Sequence, residues 1–436
     1  MRHSKNLWML ITIVTGSLFI LAACSKDTTL GKENLNENNN SDSDKEKVTI
    51  QVAFPLNEEY FDGRFGEVDE KLDHIDLEHV PYDGSIESLE ELFAEKQFPD
   101  IIIGDYPPIR ELGIEHPLDD LVEKHDFNLD SLDPSLLSYM RSLGENGEIV
   151  GFPDGGSFYA LYYNKNVFDK LGKDYPDLDK PMTWNELMNL AKDMTKEVDG
   201  VQYIGLHGGP AGALAEFAAP LTDADTGDVL VEKNPQFKKY FELLNSYYSI
   251  PGIDNFDSED DPFAEEETAA MFISSNNYFA WGFGNPEPEE VEHIEMAPVP
   301  VWEDQPETTP AQNAWVMAIP DYSEHKDEAF EVLTTYLEPD IQIEMAKTMM
   351  LQTPLADNEV LEHYGSEVPS YENKNIDAYF FGEAAKYEEK QSNWDQYVDL
   401  EKAEERLREE KTDIVTILRE LAEESEGKIK SKMKSQ

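Results

Sequence analysis

The sequence predicts an α/β fold that opens on a parallel sheet. Three observations predict it. Val48 to Phe54 and Ile75 to Val80 read as strands, each followed by a helix-forming stretch. Ile101-Ile102-Ile103 is an unbroken apolar run between helices, as expected of a strand buried on both faces. Hydrophobic residues make up 40% of the 436 residues, enough to cover such a sheet.

Taken in order, Val48 to Phe54 (VTIQVAF) ends at Pro55, which cannot donate to a ladder. Leu56 to Leu72 is expected as a first helix with Gly interruptions, and Ile86 to Lys96 as a second, with Ile86, Leu89, Leu92 and Phe93 on one face. Together with Ile101–Ile103 they form a β-α-β-α-β unit. Right-handed crossovers put the loops Pro55 to Tyr60, Pro81 to Ser85 and Asp105 to Pro108 at the carboxyl ends of the strands, where such sheets bind ligands. Asp105 and Tyr106 are candidates for that reason. Asn146-Gly147 is expected as a type I′ hairpin turn. Gly151 to Tyr163 reads as turn plus strand, and Asn164 to Leu171 as a short helix closed by Gly172. Thr183 with Glu186 forms a capping box ahead of Trp184 to Thr195. Helices are expected at Pro235 to Tyr248, Lys326 to Leu337, Asp340 to Met350 and Ile414 to Lys432. Phe263 to Phe272 is expected as a helix running into a strand, and Met296 to Val301 and Ala314 to Ile319 as strands.

Charge removes whole function classes. Asp and Glu total 92 against 35 Lys and Arg, a formal net charge of −57. Such a chain is not built to wrap nucleic acid or to grip an anionic membrane electrostatically. One cysteine excludes disulfide frameworks and cysteine-built zinc or iron–sulfur sites. The nine His residues form no cluster, and no cofactor motif, Walker pattern, G-x-S-x-G or H-E-x-x-H is present. Asp223 to Asp228 places carboxylates on alternate residues, as calcium loops do. Gly227 is one place early for an EF-hand, though, and no Glu closes the loop, so a turn between Leu221 and Val229 is the better reading.

The N-terminus reads as an export signal. Arg2 and Lys5 precede an apolar run from Leu7 to Leu21, too short for a comfortable membrane span. Leu21-Ala22-Ala23-Cys24 resembles a bacterial lipobox, which implies lipidation of Cys24 and removal of residues 1–23. Residues 24–47 are polar and read as a flexible tether.

Five blocks in order resemble one family. They are Phe98 to Asp105 (FPDIIIGD), Gly147 to Gly172, Met182 to Ala191, Phe263 to Ile273 (FAEEETAAMFI), and Ala314 to Thr335 with Leu351 to Leu355. Together they are similar to the extracellular solute-binding proteins of bacterial ABC importers, in the carbohydrate-binding group that includes maltose-binding protein. The resemblance implies a two-lobe periplasmic-binding-protein-like (type II) fold, with a ligand cleft between lobes and crossing hinge strands. Lobe one would hold 48–156 and 300–352, and lobe two 157–299 and 353–436. It implies a receptor with no catalysis and no cofactor, probing a saccharide and handing it to ABC permease subunits. The lipobox adds a membrane partner through the lipid, on the outer face of the cytoplasmic membrane of a Gram-positive bacterium, and the strong charge suits a monomer.

The resemblance also implies ligand contacts. A polar residue falls at Ser157, beside Tyr159 at the first crossing. The family's Gly-x-Trp after Ala270-Met271 is missing; Asn277 or Tyr278 takes its place, and Trp281 follows. Trp315 falls where the family has Gly-Gly-Trp. The missing Trp argues against maltodextrin itself. Two alternatives stand beside a sugar receptor: an exported carbohydrate-active enzyme using paired carboxylates, and a receptor for a non-sugar solute.

Overall fold

The computed structural model describes residues 47–253, 261–276, 278–348, 352–387 and 390–435. Cys24, the tether and Asn277 lie outside the described residues. The fold is α/β, with two lobes each built on its own sheet.

The first sheet is laid down as the sequence predicts. Strands β1 (Val48–Phe54) and β2 (Ile75–Pro81) run parallel, pairing Val48 with Ile75 and Phe54 with Pro81. Strand β3 (Ile101–Gly104) lies parallel on the other side of β1. Every residue of β3 is buried, because helices cover both faces. Helix α1 (Glu58–Lys71) is capped by the Asn57 side chain and buries Phe61, Phe65 and Val68 along one face. Helix α2 (Ile86–Ala94) buries Leu89 and Leu92. The sheet is completed from far along the chain by β4 (Phe152–Pro153) and β8 (Val316–Ala318), in the order β2-β1-β3-β8-β4.

The second sheet is antiparallel. Strand β5 (Tyr159–Asn164) runs down its middle, between β6 (Met271–Ser275) and β7 (Ile294–Pro298). Helix α3 (Trp184–Met194) begins at the expected capping box, with the Glu186 N–H donating to Thr183 Oγ1 at 3.2 Å and the Thr183 N–H to Glu186 at 2.8 Å. A second core joins α4 (Pro235–Tyr248) to the long C-terminal helix (Ile414–Ser435) through Phe237, Phe241, Ile417 and Leu418.

Three local expectations fail for identifiable reasons. Asn146-Gly147 makes no hairpin, because the chain reaches it from a helix, Pro134–Leu143, and Asn146 spends its side chain on Glu148. Residues 263–270 form no helix. Asp261 accepts the Phe263 and Ala264 N–H groups at 2.9 Å, and the Thr268 and Ala269 N–H groups turn back to Pro262 at 2.8 Å. Asp105 to Pro108 is not all loop: Tyr106–Leu112 is a helix, with its prolines in the first turn where no donor is needed.

Hydrogen bonds tie two stretches across the expected boundaries. Residues 300–311 attach to the second lobe, through Val301 N–H to Met182 (3.0 Å) and Ala311 N–H to Ala215 (3.0 Å). Residues 354–367 attach to the first, through Asp133 N–H to Pro354 (2.8 Å) and Gly365 N–H to Ala346 (2.8 Å).

Candidate functional site

The carboxyl edge of the first sheet gathers residues that are remote in sequence. Val316 pairs with Gly104 on one side and Pro153 on the other, so Asp105, Trp315 and Asp154 arrive at one edge. Trp315 is half-buried, nearly perpendicular to Phe54 at 6.2 Å, with the Arg64 guanidinium 5.4 Å from its ring. Arg64 in turn bonds Asp154 at 2.6 Å, and both are buried. Burial raises the Asp154 carboxyl while Arg64 pulls it down.

From Asp154 the chain crosses between lobes. Gly156 bridges Gln352, and a Cβ on Gly156 would stand 3.0 Å from the Gln312 side-chain oxygen and 3.1 Å from that of Gln352, which favours glycine here. The Ser157 N–H donates to Gln312 at 3.1 Å, and Phe158 exchanges bonds with Asn276 at 2.8 and 3.2 Å. Tyr159 then opens β5, half-buried between two cavities that share it. The first, about 330 Å³, is lined by Phe158, Gln312, Gln352, Phe380 and Lys386 among others. The second, about 490 Å³, lies between Gly208–Gly212, the Tyr240, Leu244 and Tyr248 face of α4, and the returning segment with Tyr387, Gln391, Asp395 and Glu404.

That returning segment touches both lobes. Ser138 donates to the Tyr387 carbonyl at 2.7 Å, the Gln391 N–H to Ser142 at 2.6 Å, and Lys390 pairs with Glu145 at 2.8 Å. On the other side the Thr222 hydroxyl donates to Asp395 at 2.6 Å and accepts from the Ser392 hydroxyl at 2.7 Å. The Tyr387 ring packs on Tyr139 at 5.3 Å. Burial raises the Tyr139 hydroxyl pKa, and the charge of nearby Asp105 adds to it. Aromatic faces beside amide and carboxylate groups can hold the apolar faces and hydroxyl edges of a small polar ring.

The expected site residues divide accordingly. Ser157 and Tyr159 stand at the crossing, and Asp105 and Trp315 at the edge of the first sheet; of the four, Tyr159 alone lines either cavity. Three others do not join them. Tyr106 is 3% exposed, covered by the Arg110 guanidinium at 4.7 Å. Tyr278 is 0% exposed, packed between Tyr162 (5.0 Å) and Phe272 (4.8 Å), so its ring belongs to the core. Trp281 is 61% exposed, leans on Tyr278 at 4.7 Å and lines neither cavity. Sequence reasoning missed Tyr387, Gln391, Asp395 and Glu404, which no motif marks. The four-residue spacing of Tyr240, Leu244 and Tyr248 was a usable signal. Asp223 accepts the Asp225 and Thr226 N–H groups at 3.1 and 2.7 Å, making the turn that its sequence suggests. Among the described residues no group of His, Cys, Asp and Glu could hold a metal ion, and no helix is long and apolar enough to cross a membrane.

A family model described as bacterial extracellular solute-binding protein matches residues 58–343. The fold is similar to that of several solved proteins. The sugar-binding protein MalE from Xanthomonas citri has a TM-score of 0.69 at 16% identity, covering 89% of this chain and 100% of that one. The substrate-binding protein Lmo0181 from Listeria monocytogenes, in complex with cycloalternan, has 0.66 at 16%, covering 88% and 99%. The cyclic alpha-maltosyl-1,6-maltose binding protein from Arthrobacter globiformis has 0.64 at 18%, covering 87% and 98%.

Proposed function

Because the chain belongs to the bacterial extracellular solute-binding protein family, we propose that it is the receptor of an ABC importer, binding a saccharide between its lobes without catalysis. The observation that carries this reading is the pair of cavities sharing Tyr159 at the crossing, walled by tyrosines and amides from both sides of the hinge. Sugar binding by the structurally similar proteins supports the ligand class. Asp105, Ser157, Tyr159 and Trp315 remain contact candidates, joined by Tyr387 and Gln391; Asn277 is kept from the sequence alone.

Ligand favours the state in which both lobes contribute contacts, and permease subunits read that state. The bonds of residues 300–311 and 354–367 support lobe boundaries nearer Gln312 and Glu367 than 300 and 352. The lipobox supports anchoring through Cys24 on the outer face of the cytoplasmic membrane, with residues 25–47 as tether.

A thermal-shift screen of protein lacking residues 1–23 tests the ligand class, using mono- and oligosaccharides beside amino acids, peptides and calcium. Ligand at 100 times its Kd stabilises by about 2.7 kcal/mol, a rise of about 3 °C for a body of this size. Stabilisation by a glycan is expected. Stabilisation only by an amino acid, peptide or ion refutes the saccharide.

A further inference from the structure

We propose that the saccharide carries a protonated amine, selected by Asp395 and Glu404 in the larger cavity over its neutral counterpart. This rests on the saccharide reading and specifies its substrate class.

The argument begins with the charges around the cavity. Its described lining includes Asp395 and Glu404 and neither Lys nor Arg. Among the described residues, neither carboxylate has an ion pair. Their donors are neutral: the Thr222 hydroxyl at 2.6 Å with the Thr222 and Leu221 backbone N–H groups for Asp395, and the Tyr240 hydroxyl at 2.9 Å for Glu404. The neighbouring cations are placed elsewhere. Lys386 lines the smaller cavity, Arg110 bonds Asn393 and covers Tyr106, and Arg408 reaches Glu404 electrostatically but pairs with Glu409 at 3.4 Å. Asp105, across the cleft, adds a further negative charge beside Tyr139. The buried Asp154 shows the contrast, since it is matched by Arg64.

Burial pushes Asp395 up to about 6 and raises Glu404 as well, outweighing the neutral donors of both and the distant charge of Arg408 on Glu404. Hydroxyls of a neutral sugar can fill their lone pairs but not balance their charge once the cavity closes over them. An ammonium does both. The rings of Tyr159, Tyr240, Tyr248 and Tyr387 on the same wall suit it too, stacking on the sugar body and attracting a cation to their faces.

The test is calorimetric titration of the protein lacking residues 1–23 at neutral pH. The probes are glucosyl and mannosyl mono- to trisaccharides in three matched forms: hydroxyl, amine and acetamide. Spermidine serves as an amine without a sugar. The amine form is expected to bind about 10-fold more tightly than either twin, since a charge-assisted bond outweighs a neutral one. Added salt should narrow that gap. Glu404→Gln keeps an acceptor for Tyr240 and removes the charge, so it should narrow the amine form's advantage over its hydroxyl and acetamide twins; an advantage unchanged in this variant overturns the role of Glu404. Equal or tighter binding of the neutral forms overturns the amine and leaves the saccharide reading standing. Binding of spermidine with no sugar overturns the saccharide reading itself, and silence from every probe overturns both.

Discussion

Glu216 should make the protein lose stability as pH rises through neutrality. Its side chain is 1% exposed in the second lobe, where one oxygen accepts the Trp184 indole N–H at 2.8 Å and the other the Trp302 N–H at 3.2 Å. These donors and the charge of Lys239 favour the carboxylate, but burial outweighs them and pushes the group from 4.5 to about 9. The folded chain therefore holds a proton that the unfolded chain has released between those two values. The stabilisation is complete below about pH 4.5 and is lost as pH climbs toward 9. Each pH unit costs about 1.4 kcal/mol, so from pH 4.5 to 7 the loss is about 3.4 kcal/mol, or about 4 °C in Tm for a body of this size. The assay is thermal or urea unfolding of wild type and Glu216→Gln from pH 5 to 8. The amide cannot titrate. It also leaves one donor facing its NH2, which costs a constant amount at every pH. The wild-type advantage over the variant should therefore shrink steadily with pH, whatever its starting size. A difference that stays flat across the range refutes the reasoning.

Two further outcomes are expected. Asp154→Asn strands the buried Arg64 charge and should cost about 3–5 kcal/mol, seen as a Tm about 4–6 °C lower; pairing it with Arg64→Met should recover part of the loss, and an unchanged Tm in the single variant denies that the pair is buried and coupled. Cys24→Ser should move the protein from the membrane fraction to the medium, and continued membrane retention contradicts the lipidated anchor.

The parts of the fold that were legible in the sequence are those decided within a few residues. The alternation in Ile75–Pro81, the apolar run Ile101–Gly104, the capping box at Thr183 and the left-handed Gly172 (φ 66°) each carry their own local cause. Asn146-Gly147 carries one too, but the helix before it supplies no strand for a hairpin to pair. The Ala-rich 263–270 stretch has helical composition, yet Asp261 and Pro262 capture its N–H groups first. Local preference was overruled where a competing acceptor or a neighbouring element stood within a few residues.

The candidate site was less legible because it is assembled by crossings, and crossings leave little periodicity. Tyr159 was found through the strand that it opens. Tyr387 and Gln391 lie beyond 353, in a stretch of short turns such as Pro369–Tyr371 and Asp395–Tyr397 that no hydrophobic pattern announces. The same logic explains where Tyr278 falls. The family's spacing marks a place after β6, but in this chain the helix that follows, Tyr278–Phe283, turns its first aromatic inward against Tyr162 and leaves Trp281 outside. Tyr387 reaches the cavity from a chain held to both lobes, and it does so beside Asp395 and Glu404. The amine titration therefore tests whether a tyrosine and two carboxylates supplied by the returning segment set what the cavity selects.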